Sequence, residues 1–315
     1  MTRKIIIDTD PGIDDAMAIL FALHSPELEV VGLTTTYGNV AVSQSTQNAL
    51  SLVELAGRNV PVAQGVALPR VREPGDFPDF IHGKNGFGDV EWPAPKGKPD
   101  SRDAAQFIID LVRENPGEVS LIALGPLGNL AEALARDPEI AHLVDEVILM
   151  GGTWKEPGNV SPVAEANVIN DPHAADAVFT APWQVVMIGL DVTHQVLLTN
   201  ERLARIRAAN PKEGSFLYDI AQLYISFYSK THPVEGCYFH DASCIAYALE
   251  PDIFQIARGA VRVATEGLGI GQTIICMEGR FSPLPGWENI PMSDICVDVD
   301  DERLLNLFEE RLSAA

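Results

Sequence analysis

The sequence predicts an α/β fold: an open, mostly parallel sheet with helices on both faces, plus an added C-terminal helical layer and extra strands. Three observations carry that expectation. Short β-branched apolar runs alternate with segments of helical apolar spacing through the first two-thirds of the 315 residues. Asp10, Asn39, Gly125, Gly151 and Asp191 each fall just after an apolar strand pattern, where open α/β sheets hold their ligands. Hydrophobic residues make up 46 % of the chain, enough for a substantial core. This length suits one large α/β domain or two ordinary ones, and residues 1–315 are read as a single domain.

The elements follow in order. "KIIID" reads as a short buried strand, and "DDAMAILFALH" has the apolar spacing of a helix. "LEVVGLTTTYGN" returns to β-branched residues. "SQSTQNALSLVELAG" is a helix closed by Gly57, with Ser43 or Ser45 as its cap. "NVPVAQG" is a short strand. Residues 66–98 are rich in Pro and Gly, and so long an irregular stretch in a compact domain is functional or mobile. Three further helix–strand pairs run from "SRDAAQFIIDLVREN" to "QVVMIGLDVTH", the last read as a strand. Residues 198–250 are mainly helical. "GAVRVATEGLGIGQTIICMEG" and "NIPMSDICVDVD" are the extra strands, and "DERLLNLFEERLSAA" is a final helix.

The formal charge is −22, from 44 acidic and 22 basic side chains. Such a balance argues against a nucleic-acid backbone or an anionic membrane as partner and leaves a neutral small molecule open. No basic segment followed by an apolar one starts the chain, and Ile5–Ile7 is too short for a signal peptide or a membrane span. Cys237, Cys244, Cys276 and Cys296 sit in apolar stretches without zinc spacing. They are read as reduced core residues of a cytoplasmic protein.

In "DTDPGIDDAMAIL", Asp8, Asp10, Asp14 and Asp15 fall within eight residues. Asp8 and Asp10 share a face of an extended segment, and Asp14 and Asp15 begin the next helix. Acids in a first helical turn gain about 0.3–1 kcal/mol each from the dipole, but Asp8 and Asp10 cap nothing that needs them. Like charges so close call for a cation, and an oxygen-only donor set suits a hard divalent ion. "FHDASCIAYALE" offers a second contributor at His240-Asp241, just before an apolar helix. In "GGTWKEPGNVSPVAEANVINDP", Asn159, Glu165, Asn167 and Asp171 follow a strand with little basic charge. Amides and carboxylates suit the hydroxyls of a polyol such as a sugar, and an ordinary polar loop is the competing reading.

"DTDPGIDDAMAIL" resembles the signature of the nucleoside hydrolases, the inosine–uridine-preferring type in particular. "TTTYGNV", "HGKNGFGD", "LGPLGNLAEAL", "ILMGG", "GNVSPVAEANVINDP", "GLDVTH" and "FHD" continue the likeness in family order over the whole chain. The resemblance implies calcium-dependent hydrolysis of the N-glycosidic bond of purine or pyrimidine ribonucleosides, in a homo-oligomer, dimer or tetramer. It implies calcium ligands from the side chains of Asp10, Asp15 and Asp241 and from the backbone carbonyl of Leu124. Asp14, Asn39, Met150, Asn159, Glu165 and Asn167 would then line the ribose pocket. His240 would face the base, and Asp10 would activate the attacking water beside the metal. Asp8 would orient the loop from behind the ligands.

Two departures stand out. Gly128 replaces a Thr common in the Gly-Pro-Leu-Thr-Asn motif, and no acid accompanies Asn85 in "HGKNG". For the nucleobase, Tyr224 and Tyr228, four apart on one helix face, are the first choices; His82, His240, Phe227 and Trp287 are further candidates. A nucleoside-binding protein without catalysis has no use for the set Asp10, Asp15 and Asp241. A phosphatase built on an Asp nucleophile would need a lysine and a phosphate-cradling loop that this acidic region lacks.

Overall fold

The computed structural model describes residues 2–280 and 285–314. In β1 (Arg3–Thr9) the side chains alternate: Ile5 and Ile7 enter one core, and Ile6 enters the other. Burying each of these contributes about 1.5–3 kcal/mol. Pro11 and Gly12 turn the chain into α1 (Ile13–Leu23), which is buried along its whole length because further helices cover its outer side. β2 (Leu28–Thr35) returns beside β1. α2 (Val42–Leu55) begins at an extended Ala41, and neither Ser43 nor Ser45 caps it. The turn after β2 delivers the chain into the helix too early for that, and the Ser45 N–H already bonds the Ala41 carbonyl at 2.9 Å.

β3 (Val62–Gln64) closes one edge of the sheet. The irregular stretch holds a single turn, α3 (Asp79–His82). Then come α4 (Ala104–Glu114), β4 (Val119–Ala123), α5 (Gly128–Arg136) and β5 (Val147–Met150). α6 (Ala166–Asn170) and α7 (Pro172–Thr180) are capped by the carboxylates of Glu165 and Asp171. β6 (Val185–Ile188) ends sooner than the sequence suggests. "GLDVTH" leaves the strand and forms α8 (Leu190–Thr193). There the Val192 and Thr193 N–H groups both bond the Gly189 carbonyl, and Asp191 accepts from the N–H groups of Trp154 (2.6 Å) and Lys155 (2.7 Å).

β7 (Leu197–Leu198), α9 (Asn200–Ala209), α10 (Glu213–Thr231), β8 (Cys237–Tyr238) and α11 (Ala242–Leu249) form the expected helical layer, with β7 and β8 as a small antiparallel pair. β9 (Phe254–Val263), β10 (Thr273–Met277) and β11 (Met292–Val299) extend the sheet, and α12 (Asp301–Ser313) ends the fold.

The nine-stranded sheet has the order β10-β9-β11-β6-β5-β4-β1-β2-β3. All pairs from β11 to β3 are parallel; only β9 pairs antiparallel, with β10 and β11. The chain leaves β1 toward β2 and β3, then returns to lay β4 on the other side of β1. The carboxyl ends of β1 and β4 therefore flank a topological switch point, where a crevice opens above the sheet. The two cores lie on opposite faces of the sheet. Cys237, Cys244 and Cys296 are buried and free, but Cys276, expected in the core, is partly exposed because β10 is an edge strand. Among the described residues no helix is long and apolar enough to cross a membrane.

Candidate active site

Asp10 leaves the carboxyl end of β1 at the switch point. Gly38 and Gly125 press against it from the loops after β2 and β4, and a Cβ on either would collide with its carboxylate. One Asp10 oxygen accepts the Asn39 N–H at 2.6 Å; the other, Oδ1, is buried without a partner among the described residues. Asp15, in the first turn of α1, accepts from the Gly12 N–H (2.9 Å), the Asn39 side-chain amide (2.9 Å) and the Thr9 hydroxyl. Asp14 accepts the Tyr224 hydroxyl at 3.0 Å, and its other oxygen is also buried and unpartnered among the described residues. Asp241 enters from the start of α11.

Oxygens of Asp14, Asp15 and Asp241 lie within 4.8 Å of one another. The sequence reading groups Asp10, Asp15 and Asp241 and turns Asp14 toward a sugar, whereas this tightest trio contains Asp14. Burial raises the pKa of all four carboxyls. Asp14 and Asp15 are each pushed up to about 6, and repulsion from Asp14 adds to the effect on Asp15. Asp10 and Asp241 are raised well above the usual range, by burial first and then by the neighbouring aspartates. Carboxylates packed this closely could hold a cation among them. The orphaned oxygens of Asp10 and Asp14 and the oxygen-only donors fit a hard divalent ion.

Asp8 stays out of the cluster. It accepts the Thr34 hydroxyl at 2.5 Å and the Asn129 amide at 2.7 Å, and burial pushes it up to about 7. Asn129 also donates to the Thr35 carbonyl (3.0 Å) and accepts the Val66 N–H (2.9 Å). Asp8 thereby ties the ends of β1 and β2 to the start of α5. Gly128 is explained here: a Cβ on it would lie 2.7 Å from a Val66 methyl, so Val66 fills the space a threonine would take.

The second wall comes from the loop after β5. Glu165 caps α6, accepting N–H groups from Gly152 (3.0 Å), Asn167 (2.8 Å) and Val168 (3.1 Å); burial raises its pKa and these bonds oppose the rise. The Asn167 amide donates to the carbonyls of Leu124 (2.8 Å) and Met150 (3.1 Å), linking the ends of β4 and β5. Asn159 accepts the Ala166 N–H at 3.0 Å.

α3 and α10 roof a cavity of about 730 Å³. Asp14, Asn39, His82, Leu124, Met150, Asn159, Glu165, Asn167, Tyr224, Tyr228, His240 and Asp241 all line it; Asp10 and Asp15 are buried beside it, joined through Asn39. His82 accepts the Ile13 N–H at 3.2 Å, and burial holds its pKa down to about 4. His240 bonds Thr193 Oγ1 (2.8 Å) and the Tyr228 hydroxyl (2.9 Å), and burial keeps it well below the usual histidine range. Phe227 lines the cavity; Trp287 does not, because it lies in the turn between β10 and β11.

Sequence reasoning missed His194, His232 and Tyr238, which also line the cavity. His194 stacks on Tyr238 with ring centroids 4.4 Å apart. Its motif, "GLDVTH", was in view, but reading it as a strand hid the turn that swings His194 toward α10.

The inosine-uridine preferring nucleoside hydrolase family matches residues 5–306. The chain belongs to this family. The chain is 40 % identical over 313 residues to a probable uridine nucleosidase 2 of Arabidopsis thaliana, covering 98 % of this chain and 97 % of that one. Over 279 residues it is 42 % identical to an inosine-uridine preferring nucleoside hydrolase of Leishmania major, covering 87 % and 88 %. A solved plant nucleoside hydrolase superposes with a TM-score of 0.96 at 40 % identity, over 100 % of both chains.

In this nucleoside hydrolase, Asn85 folds residues 83–90 onto themselves, accepting the N–H groups of Phe87 (2.8 Å) and Asp89 (3.1 Å) and donating to the Val90 carbonyl (2.9 Å). His82 and Phe87 are buried, whereas Phe77 and Phe80 are 42 % and 68 % exposed at the cavity mouth. Residues 76–88 are expected to exchange amide hydrogens faster in the free enzyme than with a ribose-like inhibitor bound, as a closing lid would. Equal protection in both states would count against a lid.

Proposed function

We propose that the protein hydrolyses the N-glycosidic bond of ribonucleosides, purine or pyrimidine, to ribose and free base, with Ca²⁺ as its resident ion. The observation that carries this reading is one cavity with the carboxylates of Asp14 and Asp241 on its floor, amides on one wall and aromatic rings above. Asp10, Asp15, Asp241 and the Leu124 carbonyl would hold the ion, with Asp14 beside them. Bound there, it would neutralise the cluster and make a water molecule easier to deprotonate. The unpartnered Asp10 Oδ1 is the acceptor for that proton.

Asn39, Asn159, Glu165 and Asn167 would orient the ribose hydroxyls, while Met150 packs against the sugar. The nearby carboxylates stabilise the positive charge that grows on the ring in an oxocarbenium-like transition state. Tyr224 and Tyr228 cover the base, with His82 at the same roof. Burial keeps His240 neutral, so it assists as a hydrogen-bond donor to the charge collecting on the departing base. The same reading makes the enzyme a cytoplasmic homo-oligomer, dimer or tetramer, which light scattering measures.

A panel of ribonucleosides assayed for ribose release is the test. Turnover of inosine or uridine is expected, and release of ribose from none of the common ribonucleosides would overturn the reading. His240→Ala is expected to lower turnover of inosine about 10²-fold or more. Nitrophenyl riboside, whose leaving group needs no help, should lose far less. Equal losses on both substrates would mean that His240 supports structure or ribose binding instead.

A further inference from the structure

We propose that Thr193 is a positioning residue that fixes the tautomer of His240, so that His240 presents its Nε2–H toward Tyr228 and the base end of the cavity. The inference rests on the reading of His240 given above. It starts from a three-member chain: Thr193 Oγ1 to His240 Nδ1 at 2.8 Å, and His240 Nε2 to the Tyr228 hydroxyl at 2.9 Å. All three residues are buried.

A neutral imidazole has one N–H and one lone pair, so the chain runs in only two ways. In the first, the Thr193 hydroxyl donates to Nδ1, Nε2–H donates to the Tyr228 oxygen, and the Tyr228 hydroxyl keeps its own proton free for another acceptor. In the second, Nδ1–H donates to Thr193, and Nε2 accepts from Tyr228. The second arrangement leaves the Thr193 proton to find an acceptor elsewhere. A threonine at the end of a helical turn usually gives it to the carbonyl four residues back. Here the Gly189 carbonyl already takes the N–H groups of Val192 and Thr193, and His240 is the partner of the hydroxyl among the described residues. The second arrangement therefore strands a buried donor that has no acceptor beside it among the described residues, whereas the first leaves only the Tyr228 proton to place, and the Tyr224 oxygen is within reach to take it.

Polarity along the rest of the roof agrees. The Tyr224 hydroxyl donates to Asp14 at 3.0 Å, so its oxygen is left to accept, and the Tyr224 and Tyr228 rings lie edge to face 5.0 Å apart. The first arrangement leaves Tyr228 able to donate in that direction, and it leaves Nε2–H on the cavity side when a base displaces Tyr228. The turn that makes α8 is what brings Thr193 to this place.

Thr193→Val removes the hydroxyl with little change of shape, and Thr193→Ser keeps it. In the valine variant, kcat for inosine is expected to fall about 10-fold to 100-fold with KM nearly unchanged, the scale of a displaced catalytic proton donor. Nitrophenyl riboside should change by less than about threefold, the serine variant should recover most of the loss, and nitrogen chemical shifts should report the Nε2–H tautomer of His240 in the wild type and a mixture in the valine variant. Equal losses on both substrates, no recovery with serine, or an Nδ1–H tautomer in the wild type would overturn the proposal. His240→Ala, assayed beside these variants, separates the two readings. A selective loss there without one in Thr193→Val defeats this proposal alone; no selective loss in His240→Ala defeats the reading of His240 and this proposal with it.

Discussion

Asp10→Asn is expected to give a folded protein whose turnover on inosine and uridine is lower by about 10³-fold or more, in the range lost with a general base and part of a metal's charge balance. Folding should survive because Gly38 and Gly125 press closely against the Asp10 side chain, and asparagine has nearly the same size and shape. Its carbonyl oxygen can still take the Asn39 N–H that Asp10 takes at 2.6 Å. The loss falls on the other oxygen, Oδ1, which has no partner among the described residues and becomes an amide nitrogen that cannot accept a proton. One negative charge also leaves a crowded cluster, so thermal stability without metal should stay level or rise. Steady-state kinetics, metal content and a melting curve on the same preparation make the check. Turnover within a few-fold of wild type, with the ion still bound, would remove Asp10 as the base.

Stripping the metal is the second large effect. The purified protein is expected to carry one Ca²⁺ per chain after gel filtration and to lose nearly all turnover with a chelator, regaining it with Ca²⁺ and not with Zn²⁺, since every donor is an oxygen. An ion present at a thousand times its dissociation constant adds about 4 kcal/mol of stability, so the melting temperature should fall on chelation. The pH dependence of the stripped protein has a definite sign. Asp14 and Asp15 are raised to about 6 in the fold, above their unfolded value, so the folded state holds more protons. Their stabilising effect is fully present below the unfolded pKa and is lost as pH rises through about 6. The stripped protein should therefore melt at a lower temperature at pH 7 than at pH 5, with the loaded protein far less affected because the ion occupies those oxygens. Full activity in a metal-free preparation would sink the assignment.

How much of this was legible in the sequence depends on how local the cause is. Ile5, Ile6 and Ile7 mark a strand buried on both faces without reference to anything else. "DTDPGIDD" carries its geometry with it: two acids on an extended segment, a Pro-Gly turn, and two acids in a helical first turn. Element order and the crevice at the strand ends follow from such local rules. Where local signals compete, the reading fails. Ser43 and Ser45 are good capping residues, yet the helix starts at Val42 because the preceding turn sets where the chain enters. "GLDVTH" has strand composition, yet Asp191 is drawn to the N–H groups of Trp154 and Lys155, and the strand stops at Ile188.

The sequence by itself determined the family, the main alternation of strands and helices, and the acidic motif at the end of the first strand, because periodicity and a dense acidic motif are properties of short stretches. Only the tertiary structure decided which carboxylates meet. Asp14, Asp15 and Asp241 come together because α11 packs against α1, a contact between segments more than 200 residues apart that no local pattern encodes. It also decided what each polar group must do there: Gly38 and Gly125 fix Asp10, Val66 accounts for Gly128, and Thr193 faces His240. Burial from several elements at once removes water as a partner. Each buried donor and acceptor must then be matched within the fold, and that matching exists only once the chain has closed around it.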